Sequence, residues 1–281
     1  MDVVINLDDL RTARSMLMKP VGLVPTMGYL HAGHLSLVRR ARLECASVVV
    51  SIFVNPAQFG PHEDLDNYPR DLQRDLDLLE QEGVDLVWTP TNEVMYPQAY
   101  QTWVTVEGVS QPLEGAMRPG HFRGVATVVA KLFHAVQPDK AFFGQKDAQQ
   151  AIVIKQMAAD LNMPLEIVVC PTVRQPNGLA VSSRNQYLTE QQKRYATYIY
   201  KALKKSKSLI KAGTTKSKTV IGEMKKILNQ VPSIKIEYIS IVDAETMQGL
   251  EKITGKVLIA VAVKIGSTRL IDNILVDVNS R

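Results

Sequence analysis

The sequence predicts an α/β fold, a doubly wound parallel sheet followed by a smaller α+β C-terminal domain. Three observations carry this. Short apolar, β-branched runs alternate with helix-spaced segments over the first ~170 residues, the pattern of strand–helix–strand units with right-handed crossovers. The run 47–55, SVVVSIFVN, is nearly continuously apolar, as a strand buried on both faces of a parallel sheet must be. Near Pro171 the alternation gives way to a polar, turn-rich stretch, then to helices and three closing strands.

In order, residues 21–25 form the first short apolar run and 33–44 a helix. The buried strand 47–55 follows. Over 69–82, Leu72, Leu76 and Leu79 fall at i, i+4 and i+7, which predicts a helix. Residues 84–88 read as a strand, 124–137 as a helix, 140–143 as a short strand, 147–161 as a helix and 165–170 as a strand. The segment 171–185, PTVRQPNGLAVSSRN, has no periodicity and reads as an ordered functional loop or a domain boundary. Thr189 with Gln192 has capping-box spacing. It opens a long basic helix to about Lys211, with a second over 217–229 after Ala212 and Gly213. Strands 234–243, 256–264 and 268–276 close the chain, the last two flanking the hairpin-like Ile265-Gly266-Ser267. The expected division is a Rossmann-like domain over 1–173 and a smaller α+β domain over 174–281.

Composition narrows the function classes. At 281 residues, 46% hydrophobic and 22% charged, the chain is an ordinary globular protein of one or two domains, which excludes disorder and low complexity as its main state. Cys45 and Cys170 give no disulfide framework and no CxxC pattern, which fits a reducing cytoplasm. MDVVINLDDLR lacks the basic and apolar regions of a signal peptide. The longest apolar runs, 46–54 and 257–263, are far below the ~20 residues of a membrane helix, so no membrane partner is expected. Net charge is +5, but residues 193–226 carry eleven Lys/Arg against Glu223 alone. That window holds +10 and leaves −5 for the rest. Such a stretch could attract polyanions; the plainer reading is a solvated helix face. Tyr195, Tyr198 and Tyr200 fit one turn of a packed helix better than a base-stacking platform, so no nucleic-acid partner is expected.

The densest chemical signal is Pro25-Thr-Met-Gly-Tyr-Leu-His-Ala-Gly-His-Leu-Ser-Leu37, between the first strand and the first helix. In open parallel sheets ligands bind at the carboxyl ends of strands, and a helix N-terminus presents free N–H groups and a positive dipole end to phosphate. Gly28 and Gly33 allow close backbone approach. His31 and His34 are spaced to share a helix face, and imidazoles donate to phosphate without a permanent charge. The Gly28-to-Gly33 spacing copies a P-loop, but His34 and Leu35 replace the Lys and Ser/Thr; there is no HExxH and no strand-following GxGxxG, so a GTPase, a zinc protease and a nicotinamide enzyme are disfavoured.

Four further segments carry candidates. Asn55 and Gln58 end the second strand as neutral amides suited to a small hydroxy acid or amine, or form an Asn-Pro turn with an exposed Gln. Residues 113–124, LEGAMRPGHFRG, make a Gly/Pro loop in which Arg118, His121 and Arg123 are anion contacts or simple surface. Gly144-Gln145-Lys146-Asp147 with Gln150 joins a strand to a helix. Lys146 places a point charge against phosphate, while Asp147 reads equally as a helix cap or a ligand contact. Val181-Ser182-Ser183-Arg184 combines hydroxyls and a guanidinium fork, a phosphate clamp or a Ser-rich turn. His134 reads as packed on its helix and His62 as loop.

Together these segments resemble the H-x-G-H superfamily of nucleotidyltransferases and, more narrowly, the pantoate–β-alanine ligase family, with five motifs in that family's order. The resemblance implies that ATP is bound by Met27, Gly28, Tyr29, Leu30, His31, Ala32, Gly33, His34, Gly144, Gln145, Lys146, Asp147, Val173, Val181, Ser182, Ser183 and Arg184. It implies that Gln58, Gln150 and Asn55 bind pantoate and β-alanine, and that His34, His31 and Lys146 are catalytic. Tyr68, in a segment that also matches the family, is expected to pack over the site rather than to do chemistry. The family usually has Glu at Gln145 and often Met at Val181, departures that leave the backbone of the turn and an apolar contact in place. The implied reaction is attack of the pantoate carboxylate on the α-phosphorus of Mg²⁺·ATP, then attack of the β-alanine amine on the resulting acyl adenylate. A cytoplasmic homodimer is also implied, the Mg²⁺ ligands being unknown. Two rivals stand beside it: another H-x-G-H nucleotidyltransferase that stops after transferring AMP, and an RNA-binding protein using residues 193–226.

Overall fold

The computed structural model describes residues 1–61 and 63–279. His62, expected in a loop, lies outside the described residues, as do residues 280–281. The chain runs β1 (Asp2–Val4), α1 (Leu7–Ser15), β2 (Val21–Thr26), α2 (Ala32–Glu44), β3 (Ser47–Ile52), a 3-10 turn (Pro56–Gln58), α3 (Leu72–Gln81), β4 (Leu86–Trp88), α4 (Asn92–Met95), α5 (Glu114–Met117) and α6 (His121–Val136). It continues through β5 (Lys140–Gly144), a 3-10 turn (Gln145–Asp147), α7 (Ala148–Asp160), β6 (Glu166–Cys170), a 3-10 turn (Ser183–Tyr187), α8 (Glu190–Lys211), α9 (Ser217–Leu228), β7 (Ile234–Asp243), β8 (Lys256–Ile265) and β9 (Thr268–Asp277).

Two compact units emerge: residues 1–110, 114–145 and 150–171, and residues 111–113, 146–149 and 172–281. The first holds a six-stranded sheet in the order β1-β4-β3-β2-β5-β6, parallel throughout. With the edge strand β1 set aside, the remaining five run third, second, first, fourth, fifth in chain order. This is the doubly wound arrangement expected, and its order reverses between β2 and β5. The crevice at such a reversal is where ligands bind in this class of sheet. Val24, Val48, Val50, Val87 and Phe142 of the strands are buried with Leu35, Val38 and Ala41 of α2 and Leu79 of α3, and Cys45 and Cys170 are free and buried.

The second unit has the antiparallel sheet β7-β8-β9. Leu203 of α8 and Met224 of α9 are wholly buried with Val257, Ile259, Val261 and Val263 of β8. Thr189 and Gln192 form the capping box read from their spacing. Lys201, Lys204, Lys205, Lys207 and Lys211 are exposed while Tyr195, Tyr198 and Tyr200 are half-buried against the core, so the basic stretch is a solvated face.

Several local expectations are corrected. The second strand stops at Ile52, not Asn55, because Asn55 turns the chain into the Pro56–Gln58 turn by accepting from the Ala57 N–H. The helix expected to start at Gly124 starts at His121, after Gly120 in the left-handed region. Leu72, counted in the apolar spacing, is exposed because it opens α3 beside its Asp71 cap. His134 is exposed rather than packed, its Nδ1 at 2.9 Å from the Ala130 carbonyl of its own helix. Asp147, read equally as a cap or a ligand contact, keeps both readings: it ends a 3-10 turn directly before α7, with its carboxylate 3.4 Å from Lys146 Nζ. The last hairpin turns on Gly266 and Ser267 alone, Ile265 pairing with Thr268.

Candidate active site

The corner after β2 is shaped by a carboxylate from another helix. Gly28 (φ +82°) and Tyr29 (φ +51°) are both left-handed, a conformation costing a non-glycine residue roughly 1–2 kcal/mol. Asp75 of α3, 1% exposed, holds them there by accepting from the Tyr29 N–H at 2.6 Å and the Leu30 N–H at 2.7 Å. Burial pushes the Asp75 carboxyl above the usual range against the opposing pull of those two N–H groups and Arg74. A Cβ on Gly28 would lie 3.1 Å from Asp75 Oδ2 and from Ile52 Cγ2, so the position is tight as well as left-handed.

The turn delivers His31 to the N-cap of α2, where its Nδ1 accepts from the Gly33 N–H at 3.2 Å. An accepting Nδ1 carries no proton, so the ring proton of neutral His31 is on Nε2. His34 lies one turn into the helix with its ring stacked on His31, centroids 4.0 Å apart and planes within 15°. The first turn of α2 contains no acid. A helix N-terminus and imidazole N–H groups each favour an anion.

Beyond β3, the amides are ordered by their neighbours. Asn55 is 1% exposed. Its Nδ2 donates to Gln58 Oε1 at 3.1 Å and to the Gly124 carbonyl at 3.2 Å. Its Oδ1 accepts from the Tyr96 hydroxyl at 2.8 Å and the Ala57 N–H at 3.3 Å. All four hydrogen-bonding capacities of that amide are used within the protein, and one of them orients Gln58. Gln58 Nε2 points to Met27 Sδ at 2.9 Å, which joins this segment to the corner after β2. Gly124 is required by close approach, since a Cβ there would lie 2.1 Å from the Ala57 carbonyl oxygen.

Arg118 and His121 brace the same segment. His121 Nδ1 is 2.8 Å from the Gln58 carbonyl and its Nε2 3.1 Å from Arg118 Nη1. Burial, then the Arg118 charge, push its pKa down to about 4. The ring is therefore neutral near pH 7, donating from Nδ1 and accepting at Nε2. Arg118 pairs with Glu63 through two bonds of 2.6 and 2.5 Å. Burial would raise the Glu63 carboxyl, but Arg118 holds it below the usual range. Arg123 is exposed and lies over Trp103 at 4.8 Å, and Tyr68 packs edge-on against Phe59.

In the second unit Lys146 has its side chain 21% exposed, and its carbonyl accepts from Asn273 Nδ2 at 2.9 Å. The Asn273 N–H is held by Asp272 at 2.7 Å, and Asp272 takes Arg174 in two bonds of 2.6 and 2.9 Å. Val181 N–H donates to the Val173 carbonyl. Ser182 caps the following 3-10 turn by accepting from the Arg184 N–H, and Val181, Ser182, Ser183 and Arg184 are all half-buried. In the first unit Gln145 and Gln150 are half-buried, Gln145 opening the 3-10 turn after β5 and Gln150 in the first turn of α7. Among the described residues no three His, Cys, Asp or Glu side chains converge as a metal cage, and no helix is long and apolar enough to cross a membrane.

A sequence model of the Pantoate-beta-alanine ligase family matches residues 2–275. The chain belongs to the pantoate–β-alanine ligase family. Among curated members, the pantothenate synthetase of Moorella thermoacetica is 57% identical over 92% of both chains. That of a Roseiflexus species is 52% identical over 99% of this chain and 100% of its own. A crystal structure of the Thermus thermophilus pantothenate synthetase superposes with a TM-score of 0.93 at 46% identity, covering 99% of each chain. The pantoate–β-alanine ligase of Francisella tularensis, in complex with a βγ-ATP species and β-alanine, superposes at 0.81 with 35% identity over 98% of this chain and 97% of its own.

Reading the sequence for pantoate–β-alanine ligase motifs missed Asp75, Tyr96, Asp272 and Asn273. Asp75 did leave a signal: it is an acid on the face that α3 buries with Leu76 and Leu79, where a charge needs a partner. Tyr96 left none, because Asn55 is 41 residues away, and Asp272 and Asn273, neighbours that bond each other, left none because Arg174 and the Lys146 carbonyl lie 98 and 127 residues away.

Proposed function

We propose that the protein condenses pantoate with β-alanine at the expense of ATP, through a pantoyl adenylate, releasing AMP and pyrophosphate. The observation that carries the reading is the stacked His31–His34 pair at the N-terminus of α2, placed at the sheet's order reversal and joined through Met27 to the oriented amide of Gln58. A carboxylate is a poor acyl donor; AMP converts it into a good one. Transfer requires charge on the α-phosphate to be neutralised and the nucleophile held in line. His31, through its Nε2–H, and His34 donate to the phosphate as negative charge grows, His34 serving as proton donor. Lys146 adds a point charge, and Ser182, Ser183 and Arg184 grip phosphate oxygens. Gln58 and Gln150 orient the pantoate carboxylate and hydroxyls, and Gln58 also meets the β-alanine amine.

Mg²⁺ enters as part of the nucleotide substrate. It draws its ligands mainly from phosphate oxygens and water with one or two carboxylates, and Asp147 is the acid beside Lys146. The protein acts as a homodimer in the cytoplasm. Mass spectrometry of products from ATP, Mg²⁺, pantoate and β-alanine tests the reading. Equimolar pantothenate, AMP and pyrophosphate are expected, with pyrophosphate exchange into ATP dependent on pantoate. Exchange supported only by a phosphorylated acceptor would instead favour a plain nucleotidyltransferase.

A further inference from the structure

Behind Gln58 lies an aromatic box that the ligation chemistry does not use directly. Tyr96 meets Tyr100 edge-on at 5.1 Å and stacks with Trp103 at 6.1 Å. Lys131 Nζ lies 4.6 Å from the Tyr100 ring centre and 5.9 Å from that of Tyr96. The box holds the Tyr96 ring from several sides, and the hydroxyl donates to Asn55 Oδ1 at 2.8 Å. Burial also raises the Tyr96 pKa far above its ordinary value, so the hydroxyl keeps its proton and remains a donor at working pH.

We propose that Tyr96 is a positioning residue for the acid and amine substrates, acting through Asn55 to set the amide of Gln58. An amide can be placed two ways round, and hydrogen bonds decide which. With Tyr96 O–H and Ala57 N–H both directed at Oδ1, the Asn55 Nδ2 must face Gln58 Oε1 and the Gly124 carbonyl. Gln58 in turn presents Oε1 to Asn55 and one Nε2 hydrogen to Met27. One N–H and one lone pair then remain for a substrate carrying both carboxylate and hydroxyl. Without the Tyr96 hydroxyl, Asn55 keeps only the 3.3 Å bond from Ala57 on its oxygen, and the Gln58 amide loses its fixed sense. This inference rests on Gln58 binding the small substrates.

The test is a double-mutant cycle of Tyr96→Phe and Gln58→Ala, read as separate KM values for pantoate, β-alanine and ATP. Tyr96→Phe keeps the ring and its box, so folding is retained. It should raise KM for pantoate about three- to tenfold, the range for one lost net hydrogen bond, and leave KM for ATP within about twofold. In the Gln58→Ala background the same change should have almost no effect, since its only route to the substrate is gone. A Tyr96→Phe effect that is undiminished in that background, or that falls on ATP, overturns the proposal while the pantoate reading stands. A Gln58→Ala enzyme with unchanged KM for pantoate and β-alanine removes the pantoate reading and this proposal with it.

Discussion

Gly33→Ala separates the chemistry of the first corner from its stability. Gly33 is the second residue of α2 and is not in the left-handed region, so alanine fits the backbone and gains up to about 1 kcal/mol of helix propensity. The added Cβ would lie 2.9 Å from His31 Cε1 and 3.0 Å from His31 Nδ1. Ordinary carbon contacts are about 3.5–4.0 Å, so the ring must retreat by roughly 0.6–1 Å. That breaks the 3.2 Å cap bond, worth about 1 kcal/mol, and disturbs the stack on His34. The two stability changes nearly cancel. The catalytic one does not, because about 1 Å of misplacement of a reacting group costs on the order of 10²-fold. Urea unfolding should thus give a midpoint close to the parent's, while pantoate-dependent pyrophosphate exchange drops about a hundredfold. Exchange within threefold of the parent would show that His31 has no part in phosphate transfer and refute the reasoning.

Three other perturbations probe separate parts. His34→Ala should lower exchange by about 10²–10³-fold, the effect of losing one preorganised donor, with an unchanged circular dichroism spectrum. His121 titrates at about 4 in the fold and near 6.5 when unfolded. The unfolded chain then binds more protons between those values, so stability falls as pH drops from 6.5 to 4, by up to about 3 kcal/mol. His121→Asn, which keeps a donor toward the Gln58 carbonyl, should flatten that part of the urea-stability profile; a parallel slope would contradict it. Asp272→Ala strands the Arg174 guanidinium, 15% exposed and over Tyr200 at 3.9 Å, and should cost about 3–5 kcal/mol in urea unfolding.

The parallel sheet was legible because its central strands β2, β3 and β4 bury both faces and so read as apolar runs, and the capping box because its partners are three residues apart. The edge strand β1 has three residues, too few for a period, and α1 buries only Leu10, so its sequence shows no apolar stripe. Gly124 read as a helix start because its true role, clearance for the Ala57 carbonyl, depends on a segment far away in the chain. The site divides likewise. His31, His34 and Gln58 stand in compact motifs, but what aims them does not. Asp75 locks the histidine turn from 46 residues away, and Tyr96 reaches Asn55 across 41. Asn55 is a case of the same kind: a polar residue near a strand end suggests a ligand contact, and its bracing of Gln58 is set by Tyr96 and the Gly124 carbonyl, both far away in the chain.

The account stands on the paired imidazoles holding the nucleotide, and a crystal structure of this chain with a non-hydrolysable ATP analogue and pantoate measures that directly. The phosphates should lie within about 3 Å of the donor nitrogens of His31 and His34, with the pantoate carboxylate against Gln58 and aimed at the α-phosphorus. A nucleotide bound elsewhere, with only solvent at the start of α2, would contradict it.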